Sequence, residues 1–159
     1  MLDDGGQTSI TTDPSLISDE EVVRRLPGVR IDEDNAPHWK GILEKRLLFP
    51  RCQDCGHWLF PIRDLCSKCW STNLRYEEVS GKATLYLFVV NHVGPPIPEV
   101  DYSTPYPVGA AELVEQDALR FLAPLVNVDL EDLQHDMPVE LTWIIRSNEP
   151  APAWQPAGS

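Results

Sequence analysis

A chain of 159 residues with 42% hydrophobic content suits one ordinary domain or two very small ones, and its net charge of −12 sets 25 acidic against 13 basic side chains. Duplex nucleic acid repels such a chain, because binding it requires a basic footprint, and no run of about 18 consecutive apolar residues is present to span a bilayer. The polar, acidic start Met1-Leu2-Asp3-Asp4-Gly5-Gly6 does not read as a secretory signal, so the expectation is a cytoplasmic protein with neither nucleic acid nor membrane as partner.

Residues 1–17, rich in Asp, Gly, Ser and Thr, lack periodicity and read as a disordered arm. Ser18-Asp19-Glu20-Glu21 places Glu three residues after Ser, a capping box; Val22, Val23 and Leu26 follow before Pro27-Gly28 stops a short helix. A second helix is predicted after Asn35 as cap, with Pro37 in its first turn, where a missing N–H costs nothing. Trp39, Ile42, Leu43 and Leu47 form its apolar stripe, facing either the rest of the chain or another subunit. Lys40, Glu44 and Lys45 occupy the opposite face, and Lys45 and Arg46 sit at the negative end of the helix dipole.

These helices fill residues 18–47, and a cysteine-bearing module follows over 48–73. Strands are then predicted. Thr84 to Val90 is β-branched and aromatic, with Tyr86 and Phe88 on one face and Leu85, Leu87 and Val89 on the other. Asn91 to Pro107 holds five prolines and reads as an irregular loop. Val108 to Val114 and Leu119 to Val126 flank Glu115-Gln116-Asp117 as a hairpin, Leu130 to Met137 is a short turn or helix, and Pro138 to Ile145 is a final strand. Residues 147–159, proline-rich with little apolar content, read as a disordered tail. Short strands over 74–146 suggest a small closed or half-closed barrel; five strands would fit the oligonucleotide/oligosaccharide-binding (OB) type, though periodicity does not separate it from other small β folds.

The chemistry-bearing motif is Cys52-x-x-Cys55, ten residues, then Cys66-x-x-Cys69. Each knuckle brings two thiolates to one ion, and two knuckles complete a tetrahedron, so the expectation is one structural Zn²⁺ held by Cys52, Cys55, Cys66 and Cys69. Iron in the same four-sulfur site is the rival metal, and a redox dithiol pair is the alternative without metal. A closed ligand set leaves no open coordination position, which makes the metal a folding element for a segment too small to bury its own core. Gly56 follows the first knuckle, where positive φ helps the turn; Trp70 follows the second, which must manage without glycine. Arg51, Arg63 and Lys68 are placed to offset the thiolate charge.

Other candidates are weaker. His57 reads as a knuckle residue, not a ligand, because four cysteines already satisfy the ion. His38, His92 and His135 are isolated, and no nucleophile-elbow or metalloprotease motif is present. Asp129, Glu131, Asp132 and Asp136 are explained by a solvated turn. Tyr86 and Phe88 could stack bases, but half-buried core aromatics suit an acidic chain better. Trp154 is either a partner anchor or incidental to a solubilising tail.

Trp39 to Leu48, Arg51-Cys52-x-x-Cys55-Gly56, Pro61 and Cys66-x-x-Cys69, followed by Gly81-Lys82-Ala83-Thr84-Leu85-Tyr86, Pro107 to Val114, Leu122 to Val128 and Met137-Pro138-Val139-Glu140-Leu141, resemble the acyl-CoA-associated zinc-ribbon/OB-fold family catalogued as domain of unknown function thirty-five. The resemblance spans about residues 35 to 146. It implies a mainly β chain with N-terminal helices, a rubredoxin-like zinc ribbon and then a five-stranded OB-type barrel. It also implies a non-catalytic accessory subunit that pairs with a thiolase-like, lipid-transfer-protein-type enzyme acting on acyl-CoA thioesters, a retro-aldolase of steroid side-chain degradation above all. Two copies on a thiolase-like dimer would suit the symmetry of such assemblies. Other members of the family pair with hot-dog-fold enoyl-CoA hydratases. Acyl-CoA would be shared with the partner, its phosphates met by Lys45, Arg46, Arg63 and Lys68. A nucleic-acid-binding ribbon and an iron electron carrier are the readings from other classes.

Overall fold

The structure, a computed structural model, describes residues 16–159, so all but the last two residues of the expected N-terminal arm lie outside it. Helix α1 (Asp19–Arg25) starts as its sequence dictates, with the Glu21 amide donating to Ser18 Oγ at 3.2 Å. The return arm of the capping box is not made; the Glu21 carboxylate instead accepts from Arg24 at 2.5 and 2.9 Å. Helix α2 (Ala36–Leu43) has Asn35 at its N-cap and Pro37 in its first turn. Asn35 does not cap through its side chain. Its Oδ1 accepts from the Asp32 amide while Asp32 Oδ1 accepts from the Asn35 amide, a reciprocal box that fixes the approach to the helix. The helix ends with Lys45 in the left-handed region (φ 58°) and the Arg46 amide donating to Gly41 O at 2.8 Å, so Leu47 lies beyond it yet is buried.

Strands β1 (Leu48–Cys52) and β2 (Leu74–Glu78) pair antiparallel as the frame of the ribbon. The barrel comprises β3 (Lys82–Asn91), β4 (Tyr106–Leu113), β5 (Arg120–Pro124), β6 (Pro138–Arg146) and β7 (Glu149–Pro156), with spatial order β5-β4-β3-β6-β7 and every neighbour antiparallel. A parallel bridge between Leu125 and Trp154, with the Val126 amide donating to Trp154 O at 2.9 Å, nearly closes the sheet on itself. This is the mainly β, ribbon-then-barrel architecture that the sequence implies, with a 3-10 turn at Leu130–Asp132 before β6.

Two larger expectations also fail. Residues 147–159 are not a disordered tail: Glu149–Pro156 is the fifth barrel strand, and Trp154 is fully buried, neither an exposed anchor nor incidental. Pro150, Pro152 and Pro156 fall at alternate positions, and the β6 register puts them opposite Ile145, Trp143 and Val139. In an antiparallel pair only every second residue turns its N–H toward the neighbour. Glu149, Ala151, Ala153 and Gln155 can therefore serve β6 while the prolines face the other edge, where no donor is needed. The second failure concerns β3, where a bulge between Leu85 and Leu87 breaks the alternation. Ala83 and Leu85 point into the barrel, Phe88 packs against the core after the bulge, and Leu87 and Val89, expected to share Leu85's face, are exposed. Tyr86 is no core aromatic; it lies outside beneath the Arg120 guanidinium, 3.4 Å from ring centroid to Cζ.

One core joins the parts. Ile42 and Leu47 from the helical segment, Phe49 and Trp58 from the ribbon, and Leu85, Leu113, Phe121 and Trp154 from the barrel belong to a single buried cluster. The α2 stripe thus packs on its own chain. No helix among the described residues is long and apolar enough to cross a membrane.

Candidate functional site

Cys52 ends β1 and opens the first knuckle; Cys66 and Cys69 lie on the long connection to β2. The two knuckles repeat one backbone design. Gly56 N donates to Cys52 O and Trp70 N to Cys66 O, both at 2.9 Å; Cys52 N reaches His57 O at 2.8 Å and Cys66 N reaches Ser71 O at 2.9 Å. The closing residue of each is left-handed, Gly56 at φ 76° and Trp70 at φ 64°. The second knuckle therefore adopts the same turn without glycine and presents Trp70 to solvent, 76% exposed. Asp54 ties the knuckles together by accepting from Ser71 Oγ and from Asn73 Nδ2, hydrogen bonds that hold its carboxyl below the usual range.

The four Sγ atoms lie within 4.8 Å of one another, with Cys52–Cys69 and Cys55–Cys66 each at 3.6 Å. A tetrahedral zinc at about 2.3 Å from each sulfur sets its ligands about 3.8 Å apart, so the donor set fits that ion. A disulfide would need about 2.05 Å, and all four cysteines are free. Cys52 and Cys66 are buried against Leu59 and Leu74; Cys55 and Cys69 face outward. Burial opposes the Cys52 thiolate, but the Cys55 and Asp54 amides and the adjacent sulfurs bring it down to about 7. The Ser71 amide favours the Cys69 thiolate, yet burial and the three neighbouring sulfurs push it up to about 12. Four thiols this close ionise together only with a cation between them. The chain thus carries a rubredoxin-like ribbon with its cysteines clustered as a structural zinc site.

The remaining predicted residues scatter. His57 adds its carbonyl to the first knuckle and stands outside the cysteine cluster. Arg51, expected to offset the sulfurs, is engaged with Glu77 at 3.0 Å, Gly56 O at 3.2 Å and the Trp58 ring. Of the four basic residues assigned to CoA phosphates, Arg46 pairs with Glu78 at 2.9 Å, Lys45 and Lys68 are exposed, and Arg63 borders recesses on two sides of the ribbon loop.

Two residues carry more than the sequence reading gave them. Gln116, read only as a hairpin residue, accepts from Trp58 N at 2.8 Å and donates to Trp58 O at 3.1 Å, which clamps the ribbon to the barrel. His38, read as isolated, is 4% exposed, its Nδ1 2.9 Å from Leu48 O and its ring stacked on Phe49 at 5.7 Å. Its placement one turn before Ile42 on the buried face of α2 was the available signal.

Matches to known proteins agree with this geometry. Residues 39–75 match the family description "ChsH2, rubredoxin-like zinc ribbon domain", and 76–143 match "ChsH2, C-terminal OB-fold domain". A DUF35 domain-containing scaffold protein of Pyrococcus furiosus is 33% identical over 105 residues, covering 65% of this chain and 74% of the relative. A probable enoyl-CoA hydratase alpha subunit of Thermomonospora curvata is 30% identical over 132 residues, 82% of this chain but 40% of that longer protein. Among solved structures, a chain of the Ltp2-ChsH2(DUF35) aldolase superposes with a TM-score of 0.71 at 29% identity, over 81% of this chain and 98% of that one. A DUF35 protein from Sulfolobus solfataricus shares the fold at a TM-score of 0.55 and 11% identity, covering 84% of this chain and 90% of that one. By ribbon, barrel, cysteine set and these matches, the chain belongs to the DUF35 family of ChsH2-type zinc-ribbon/OB-fold proteins.

Proposed function

We propose that this chain is a non-catalytic accessory subunit that supports a thiolase-like, lipid-transfer-protein-type enzyme acting on acyl-CoA thioesters, with carbon–carbon cleavage of the aldolase kind on a steroid side chain as the reaction. The observation that carries the reading is an apolar outer face on the barrel. The β3 bulge turns Leu87 and Val89 outward, and the strand registers extend them into two cross-strand rows, Leu87-Ala110-Leu122 and Val89-Val108-Pro124. Leu87 is 40%, Val89 53% and Leu122 61% exposed. A contiguous exposed apolar face rimmed by polar residues supports a protein contact. The Ltp2-ChsH2(DUF35) aldolase, of which one chain is almost wholly covered by this fold, supports a partner of that class.

In this reading the zinc ribbon stabilises the subunit while the partner supplies the reacting groups. Lys45, Arg46, Arg63 and Lys68 meet the CoA phosphates at the shared boundary, with Arg46 exchanging Glu78 for phosphate. A second reading, support of a hot-dog-fold enoyl-CoA hydratase, is favoured by the Thermomonospora curvata relative. The test is capture of tagged protein from the native host, with bound proteins identified by mass spectrometry and stoichiometry taken from the purified complex. A thiolase-fold subunit near one-to-one supports the proposal. A hydratase establishes the second reading, and recovery of no CoA-thioester enzyme overturns both.

A further inference from the structure

A recess of about 460 Å³ lies where α2, the loop after the first knuckle and the barrel meet. Trp39, Ile42, Phe60, Ile62 and Leu122 form its walls, His38 its inner surface, and Asp32 and Asp34 its rim. The volume lies within the range of sites for small organic ligands, and apolar walls with few polar groups are their usual make-up.

His38 is the group that asks for a ligand. Its ring is fixed on three sides: stacked on Phe49, edge-on to Trp39 at 5.0 Å, and bound through Nδ1 to Leu48 O. A ring nitrogen facing a carbonyl oxygen carries the proton, which leaves Nε2 of the neutral imidazole as an acceptor. Burial, only partly opposed by the Leu48 carbonyl, favours that neutral form. Among the described residues nothing donates to Nε2, while the ring borders the recess. Nε2 is not among the buried side-chain atoms that lack a partner, so this fixed acceptor is open where the ring borders the recess and takes its donor from outside the protein. The rim sets the charge of that donor's carrier. Asp32 and Asp34 border the recess, with Glu33 and Asp64 close enough to act on Asp34, so carboxylates and phosphates are repelled. An ammonium would pass the rim but gives up more hydration beside the apolar walls than their rings return, whereas a hydroxyl gives up less and recovers it in the bond to Nε2.

We infer that this recess binds an uncharged, ring-bearing alcohol or phenol whose hydroxyl donates to His38 Nε2 while its rings fill the space between Trp39, Phe60, Ile62 and Leu122. The inference needs no partner chain; Leu122 belongs both to the recess and to the face proposed for the partner, so the test is made on the free chain.

The test uses the full, zinc-loaded chain labelled with ¹⁵N and three matched probes: 5,6,7,8-tetrahydro-2-naphthol, its methyl ether and the corresponding 2-carboxylate. The expected result is saturable binding of the naphthol, read at the Trp39 indole and at His38 Nε2, which moves to the hydrogen-bonded position. The ether and the carboxylate should bind about tenfold or more weakly, a gap of about 1.4 kcal/mol per tenfold. His38→Phe keeps a stacking ring without the acceptor and should reduce the naphthol's advantage over the ether to about twofold. Ile62→Trp, which fills the recess from the loop without touching His38's bond to Leu48, should abolish binding of all three while the spectrum stays folded. No saturable shift at Trp39 and His38, binding of the carboxylate as tight as the naphthol, or undiminished binding to folded Ile62→Trp would each overturn the inference.

Discussion

Trp154 offers the sharpest test of the fold, because the proline-rich segment that carries it looks expendable. Its side chain is 0% exposed, lies edge-on to Phe121 at 6.4 Å between centroids, and donates from Nε1 to Phe121 O at 3.1 Å. Trp154→Ala removes about 150–200 Å² of buried apolar surface, worth about 4–5 kcal/mol at about 25 cal/mol per Å². Loss of the indole hydrogen bond adds about 1 kcal/mol. A domain of this size has only about 5–15 kcal/mol in hand, so the variant should be marginal, with Tm lowered by roughly 10–20 °C. Trp154→Phe keeps a ring and loses the donor, so its cost should be about 1–3 kcal/mol. Urea unfolding of zinc-loaded proteins, followed by circular dichroism, measures both. If Trp154→Ala unfolds within about 1 kcal/mol of the parent, β7 does not close the barrel and the reasoning is wrong.

The purified protein should be colourless and hold one zinc per chain by metal analysis; a red, iron-loaded protein would count against zinc. Because Phe49 and Trp58 of the ribbon share the core with Leu113 and Phe121, metal removal by chelator should destabilise barrel and ribbon together by several kcal/mol, in one transition by calorimetry instead of two. Gly41→Ala should destabilise by about 1–3 kcal/mol in urea despite alanine's helix preference, since the added Cβ would sit 2.8 Å from the Arg46 carbonyl oxygen and from Leu48. Burial holds His38 below the usual histidine range, against the pull of the Leu48 carbonyl, so the unfolded chain binds its proton more readily. Its contribution is therefore fully present above about pH 6.5 and declines as pH falls from there toward the lowered folded value. Unfolding curves at stepped pH should show that slope, and His38→Phe should flatten it.

What was legible in the sequence was local chemistry. The two knuckles, the Ser18 cap and the α2 stripe each depend on residues within a turn or two of one another, where spacing and geometry are nearly the same thing. The cysteine cluster could be named residue by residue for that reason. The rest depended on register. Strict alternation puts Leu85, Leu87 and Val89 on one face, whereas one extra residue at the bulge reverses every side chain after it. The composition of the segment after Ser147 suggests disorder, and composition hides that Pro150, Pro152 and Pro156 share one side of a strand. His38 and Gln116 act through partners far along the chain, Leu48 and Phe121 for the one and Trp58 for the other, which no local pattern contains.

The alternate prolines of β7 also govern how this molecule can meet others. A strand with one free side ordinarily offers a ladder of amides onto which a second chain can add itself, the route of both strand-exchange complexes and amyloid growth. Here Pro150, Pro152 and Pro156 leave Trp154 with the one N–H between Pro150 and Pro156 on that side, and the carbonyl of Trp154 is already taken by Val126. The seam of the barrel is therefore closed to backbone recruitment even though its bonding is incomplete. Along β7 a partner is therefore met through side chains and surface shape, which allows a specific companion subunit while giving unrelated strands little to pair with there.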